Sequence, residues 1–441
     1  MVKFRDILGI NARSAEYLRL NWKSARQIAD DKLRTKRRLK KYGIPHPQLF
    51  GVLNDHVEVQ NFNWEKLEGG FVIKPVKGFG GKGILLVKKS VKEPEKFILA
   101  GGKRVSAEDL KLHALDIIDG RYSHNNLQDS AMIEERITIH PKFKRMAVGG
   151  APDIRVIVFN KVPVMAMLRL PTEESGGKAN LDQGAIALGI DMATGITTYG
   201  VYGKNKPIKY FPDTNKKVNG ITVPHWDKIL KMAVETQVAS RLSYLSVDML
   251  IDAEKGPVVL ELNDQPGLSI QIANMQGLKK RLERVEGILV DSPEMGVKIA
   301  KTLFALEFVN RVKFDTAEKK SVRVIDKVRI KPHQGKRVEV DVKVDTGAFS
   351  TSIDKNFAEK LGLLADEHVL LEKRFKSALG EEVRKLIEVD FVLKGRRIKT
   401  CASVTKRSHL QYNMIIGRRD LKGFLVDPVI EDEMVKIRKQ I

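Results

Sequence analysis

Between residues 70 and 270 the chain alternates short apolar runs with polar or glycine-rich breaks, the pattern of buried strands joined by turns. Residues 70–75, GFVIKP, read as a buried strand that ends on Lys74. Val76-Lys77-Gly78-Phe79-Gly80-Gly81-Lys82-Gly83 follows, then a second apolar strand over 84–87. Four glycines in six positions between two strands make a hairpin whose backbone amides can come close to phosphate oxygens. It is not a P-loop, because no Gly-Lys-Ser/Thr opens a helix. Nor is it a dinucleotide fingerprint, because a strand follows it. The bland alternative is a flexible hairpin with a lysine nearby.

Helical patterning covers residues 106–118 and 225–242. Upstream, residues 1–30 are polar and helix-like, and Asp31-Lys32 opens a helix stopped near Gly43-Ile44-Pro45. The segment 131–137, AMIEERI, puts two acids in an apolar strand, which fits either a solvent-facing edge or the lining of a nucleotide pocket. Asp153-Ile154-Arg155 begins a strand to Phe159, and its partner, 162–170, ends near Arg169. Ser175-Gly176-Gly177-Lys178-Ala179-Asn180-Leu181 is a glycine-rich loop, in which Lys178 and Asn180 either meet phosphate or merely turn the chain.

Residues 246–252 and 257–263 then form an apolar hairpin. If Ala253 to Gly256 make the turn and Asp252 faces Pro257, Asp248 stands opposite Glu261, and alternation adds Asn263 to the same face. Two opposed carboxylates repel, so a positive group is expected between them. Hard oxygen donors suit Mg²⁺.

Near residues 306–320 the pattern turns polar and helical, then changes to short strands. KRVEVDVKV, residues 336–344, alternates with period two, its valines facing a core. It delivers Asp345-Thr346-Gly347-Ala348-Phe349-Ser350, and Met414-Ile415-Ile416-Gly417-Arg418 lies near the end of this part. Residues 374–378 and 382–386 around Gly380 read as a flap or an ordinary hairpin.

At 441 residues the chain has room for two or three domains, and 78 Lys and Arg against 55 acids give a charge of +23. Nine basic residues in 23–41 read first as a solvated helix face, since no aromatic residues interleave with them. The excess should attract phosphates, nucleic acid, acidic peptides or anionic lipid without choosing among them, and because no recognition motif accompanies it, nucleic acid is not the expected partner. No apolar run is long enough to span a membrane and no signal pattern opens the chain, which points to the cytoplasm. The single cysteine, Cys401, excludes internal disulfides and cysteine-rich zinc sites. His333, His368 and His409 are far apart in sequence and read as separate surface or core residues rather than a zinc site.

The ordered set Asp31-Lys32, Ile73-Lys74-Pro75 with its glycine loop, Glu135-Arg136, Asp153-Ile154-Arg155, Lys178-Ala179-Asn180-Leu181, Asp248 and Glu261-Leu262-Asn263 resembles the ATP-grasp superfamily, specifically the RimK-like α-L-glutamate ligases. Asp345-Thr346-Gly347-Ala348 with Ile415-Ile416-Gly417 resembles the active-site loop and bracing segment of retropepsin-like aspartic proteases. These resemblances imply an α/β chain: an ATP-grasp ligase domain over 1–305, a linker over 306–325 and a small all-β retropepsin-like barrel over 326–441. They imply ATP with Mg²⁺ or Mn²⁺ as cofactors. Lys32, Lys74, Gly80 and Gly81 would hold phosphates, Glu135 and Arg136 would border adenine, and Asp153, Lys178 and Asn180 would line the nucleotide site. Asp248, Glu261 and Asn263 would hold metal, with Arg155, Arg169 and Lys178 near the transferring phosphoryl group or the acceptor carboxylate.

Lys178 and Ala179 stand where RimK itself has arginine and serine, so the acceptor is expected to differ. The implied activity is amide formation between an amino acid and a peptide or protein carboxylate through an acylphosphate. The alternative is a peptidase or peptide-binding protein in which the ATP-grasp part is regulatory. Catalysis by Asp345 would need two chains, each giving one carboxylate, and hence a homo-oligomer.

Overall fold

The computed structural model describes residues 4–67, 69–78, 81–90, 96–144, 146–305, 320–365, 368–377, 380–407, 411–421 and 424–428. Gly80, His409 and the polar segment 306–319 lie outside the described residues. The chain divides into two units, Met1–Val285 and Glu286–Ile441. Among the described residues no helix is long and apolar enough to cross a membrane.

The first unit is built on two antiparallel sheets. One contains β1 (Leu49–Leu53), β2 (Phe71–Pro75), β3 (Leu85–Ser90), β4 (Lys96–Leu99), β5 (Arg104–Ser106) and β6 (Ala131–Glu135), in the order β1-β6-β2-β3-β4-β5. β6 thus has a neighbour on each side, which removes the edge-strand alternative for its two acids. The helix Ala107–Ile118 starts at a capping box made by Ser106 and Asp109. It buries Leu110, Ala114 and Ile117 in one cluster with Phe71, Ile73, Phe97 and Ile133 of this sheet. Period two leaves Val72, Lys74, Met132 and Glu134 on the other face.

The second sheet holds β7 (Asp153–Phe159), β8 (Val162–Leu170), β9 (Ile186–Ile190), β10 (Thr197–Tyr202), β11 (Lys206–Ile208), β12 (Tyr244–Asp252) and β13 (Gly256–Asn263), ordered β11-β10-β9-β8-β7-β12-β13. β7, β8 and β12 are buried along their whole length, which explains their near-continuous apolar sequences. The helix Trp226–Ser240 packs on β7, β8, β12 and β13.

The hairpin of β12 and β13 differs from expectation at its turn and agrees at its open end. Asp252 pairs with Gly256, not Pro257, because Gly256 takes φ +76° and shortens the turn by one residue. A bulge at Leu260 then restores the offset, so Asp248 does pair with Glu261. Asn263 pairs with Ser246.

In the second unit the strands are β14 (Lys320–Arg323), β15 (Ile325–Ile330), β16 (Val338–Asp345), β17 (Ser352–Asp354), β18 (Val369–Ser377), β19 (Gly380–Leu393), β20 (Arg396–Thr405), β21 (Met414–Gly417) and β22 (Phe424–Asp427). The order β15-β16-β21-β17-β20-β19 closes on itself, since β15 also pairs with β19, and β18 extends β19 as a hairpin. The result is a small closed β-barrel around Val342, Val344, Ile353, Ile387, Val389, Phe391 and Ile416. Val342 and Val344 face this core as their alternation predicts, while Val338 is exposed at the strand's start. The helix Pro293–Phe304, begun by the cap of Ser292 on Met295 N, packs on β18 and β20.

Candidate active site

One face of the second sheet carries a charged row that strand pairing dictates. Arg155 on β7 pairs with Asp248 on β12, and Asp248 with Glu261 on β13. Two residues earlier on β7, Asp153 pairs with Arg169 on β8. Their side chains join into one network. Arg155 donates Nε and Nη2 to the two oxygens of Asp248, at 2.7 and 2.5 Å. Arg169 donates to Asp153 at 2.6 and 2.5 Å and also reaches Asp248 Oδ2 at 2.7 Å. All four side chains are buried.

The positive charge expected beside Asp248 is therefore supplied by arginines. Burial works to raise the Asp248 pKa, but Arg155 and then Arg169 outweigh it and hold the carboxyl well below the ordinary carboxylate range. Asp153 moves the other way. Burial dominates the pull of Arg169 and, with the charge of Asp248, pushes it up to about 6.

Glu261 is half-buried and makes no hydrogen bond or ion pair among the described residues. Asn263 Oδ1 accepts from Gln265 N at 2.8 Å. By type, the unpaired Glu261 carboxylate and the Asn263 amide oxygen fit a hard cation such as Mg²⁺. Asp248 stands beside Glu261 with both oxygens already engaged by guanidinium groups. Among the described residues no group of three His, Cys, Asp or Glu forms a ready metal cluster.

The other half of the site comes from the first sheet and one helix. Asp31 caps the helix Lys32–Lys41 by accepting from Leu33 N and Arg34 N, which fixes where Lys32 and Lys36 stand, one turn apart on the same face. Lys32 Nζ donates to Val76 O at 3.1 Å and Gly78 O at 2.8 Å, at the entrance to the glycine-rich loop. Burial lowers the Lys32 pKa, and Glu261 is the foremost charge opposing that shift. The helix lysine thus stands within electrostatic reach of the charged row on the second sheet. Gly81 takes φ +71°, and a Cβ built there would lie 3.6 Å from Lys178 Cδ, so the loop carrying Lys178 lies against the glycine-rich loop. Asn180 spends its side-chain oxygen on Asp182 N, at 3.0 Å.

The acids of β6 split. Glu134 is 2% exposed and faces two lysines: its Oε1 pairs with Lys74, while its Oε2 lies 2.8 Å from Lys36 Nζ, an ion pair off the line of a hydrogen bond. Burial works to raise Glu134, but Lys74 and Lys36 outweigh it and its pKa falls. Glu135, the acid favoured in the sequence, points elsewhere: it pairs with Lys255 and accepts from Gln48 N at 3.2 Å. Arg136 lies across Gly70, its backbone N donating to Gly70 O at 3.0 Å. Sequence reasoning missed Lys36 and Glu134. Both were signalled by period: Lys36 lies four residues after Lys32, and Glu134 two after Met132 on the face away from Ile133.

In the barrel, Asp345 ends β16, and its Oδ1 accepts from Gly347 N at 2.9 Å and Ala348 N at 3.0 Å. The loop is braced from below: Thr351 Oγ1 donates to Asp420 Oδ2 at 2.5 Å, and Thr400 Oγ1 to Asp420 Oδ1 at 2.8 Å. His333 and His368, separated by 35 residues in sequence, stand with Nδ1 and Nε2 3.0 Å apart at the surface, and His333 N donates to Leu361 O at 2.9 Å.

A family model described as sugar-transfer associated ATP-grasp matches residues 12–287. Among solved structures, the ATP-grasp ligase PsnB complexed with a minimal precursor is 15% identical over 60% of this chain and 60% of its own, with a TM-score of 0.32. The chain thus spans less than two thirds of that protein. The D-alanine–D-alanine ligase from Bacillus anthracis complexed with ATP is 16% identical, covering 67% of this chain and 71% of its own, TM-score 0.33. The protease of Simian Foamy Virus (mac) is 20% identical over 22% of this chain and 90% of its own, TM-score 0.17. No curated protein matches.

Proposed function

The chain belongs to the sugar-transfer-associated ATP-grasp family over residues 12–287, more than half its length, and from that premise we propose that it is an ATP-dependent carboxylate–amine ligase. The observation that carries this reading is the unpaired Glu261 carboxylate, seated beside Asp248 and Arg169 and within electrostatic reach of Lys32. An anionic phosphate chain and a hard cation complement that arrangement.

A carboxylate is a poor acyl donor. In the proposed reaction its oxygen attacks the γ-phosphorus of ATP, the bond to the β-phosphate oxygen breaks, and ADP leaves. An amine then attacks the acylphosphate carbon, loses a proton, and expels phosphate to leave an amide. Arg155 and Arg169 steady negative charge on the transferring oxygens, from a buried position where charge is poorly screened. Lys32 and Lys74 bind the phosphates, and the glycine-rich loop at Gly81 covers them and excludes water. Glu261 and Asn263 would hold Mg²⁺ or Mn²⁺, which supplies charge neutralisation on the phosphate oxygens. The finer assignment, a RimK-like enzyme adding glutamate or another amino acid to a peptide or protein carboxylate, is part of the proposal. So is the division 1–305, 306–325 and 326–441, and a cytoplasmic location.

Asp345, with its carboxylate oriented by two backbone amides, favours a second activity: a retropepsin-like peptidase when two chains pair, acting on the same peptide class. ATP turnover with a panel of amino acids and peptides, products read by mass, separates these. Mass gain lost in Glu261→Ala and mass loss absent in Asp345→Asn are the expected results. Unchanged ADP release by Glu261→Ala sinks the ligase assignment.

A further inference from the structure

Two lysines and one glutamate share a buried cluster in the first unit, and this composition leaves one positive charge over. Lys36 and Lys74 are each 5% exposed and Glu134 is 2% exposed. A cluster kept for folding alone is cheapest when neutral, so the surplus cation calls for an anion that arrives later. The two lysines are held differently. Lys36 Nζ donates to Pro47 O at 2.7 Å as well as facing Glu134. Lys74 has no partner besides Glu134 among the described residues. Lys36 is therefore tethered at two points and Lys74 at one.

We infer that Lys36 is a positioning residue of the nucleotide site: it neutralises Glu134, which leaves Lys74 free to turn its charge onto an incoming phosphate. This rests on the nucleotide-site reading above. When the phosphate binds, Lys74 exchanges one carboxylate oxygen for a phosphate oxygen, and Glu134 keeps Lys36 as its counter-ion. Without Lys36, Glu134 would hold Lys74 in place and cancel it. Burial, joined by the charge of Lys74, lowers the Lys36 pKa against the pull of Glu134 and Glu135, so the device weakens at alkaline pH.

The test is calorimetric binding of Mg-ADP and of adenosine to the full chain as wild type, Lys36→Met, Lys36→Arg, Glu134→Gln and the double variant Lys36→Met/Glu134→Gln. One buried charge a few ångströms from the phosphates changes affinity by roughly 10- to 100-fold. Lys36→Met is expected to lose ADP affinity by that factor and keep its adenosine affinity. Lys36→Arg should bind ADP like wild type. The double variant, with its single net charge restored, should return to within about threefold of wild type by the same charge balance. If Lys36→Met fails to fold, the double variant and Lys36→Arg still decide. An ADP affinity unchanged in Lys36→Met, or a folded double variant that binds ADP at least tenfold worse than wild type, overturns the inference. A wild-type protein that binds no ADP refutes the nucleotide-site reading instead.

Discussion

Among the described residues, replacing Arg169 with Met removes the guanidinium that holds Asp153 bidentately and one of the two that hold Asp248. In the native protein the Asp153 pKa already stands at about 6, against 3.8 for the free carboxyl, because burial outweighs Arg169. A carboxyl whose folded pKa is raised favours the folded state most below its unfolded pKa, and that contribution is lost as pH rises through the folded pKa. For the wild type the window is about pH 4 to 6, with a slope of ~1.4 kcal/mol per pH unit and a total of roughly 3 kcal/mol. Above about pH 6 this contribution is level. In Arg169→Met burial is opposed only by the weaker pull of Arg155, Asp153 stays protonated to higher pH, and the slope continues past 7.

All three tryptophans, Trp22, Trp64 and Trp226, lie in the first unit, so urea unfolding followed by tryptophan fluorescence reports on that unit alone. The variant should lie roughly 1–3 kcal/mol further below wild type at pH 8 than at pH 5. Parallel pH profiles would refute this account of the network, because they would mean Arg169 does not set the Asp153 proton.

Gly189→Ala should destabilise the first unit by about 1–3 kcal/mol in the same fluorescence assay. Its Cβ would lie 2.5 Å from Ala273 O and 2.8 Å from Asn274 Cα, backbone that cannot step aside. Thr351→Val should cost the barrel about 1.5–3 kcal/mol and speed amide exchange in β17 and β21, since Asp420 would lose its 2.5 Å donor while buried. Unchanged exchange there would count against Asp420 as the brace of the Asp345 loop.

Much of the fold was legible because buried strands announce themselves. The fully buried strands β7 and β8 were bounded correctly from their apolar runs, and the cap at Asp31 and the break at Gly43 bounded the helix Lys32–Lys41. The site was legible as a set of residue types and less so as contacts. Alternation along β12 and β13 put Asp248 across from Glu261, but no local pattern shows that Arg155 and Arg169, from strands about 80–90 residues upstream, converge on the same carboxylate. Glu134 and Glu135 differ by one position, and only the period-two face chooses between them, a step that needs the strand's neighbours on both sides. The pairing of His333 with His368 depends on barrel closure, which brings loops 35 residues apart into contact.

The bulge at Leu260 decides which side of the sheet Glu261 occupies. With an unbroken ladder from the turn, Asp248 would face Leu260, and the carboxylate would project from the opposite surface. β13 should therefore tolerate loss and gain of a residue very differently. Many apolar side chains can replace Leu260, which is only half-buried beside Leu250 and Val258, and its removal would straighten the strand with Glu261 still opposite Asp248, because Glu261 would then follow Val259, the partner of Met249. An added residue between Gly256 and Val259 instead turns everything beyond it to the other face. Surviving length variation in β13 should therefore be loss at the bulge, and any added residue that persists should come with a matching gain in β12.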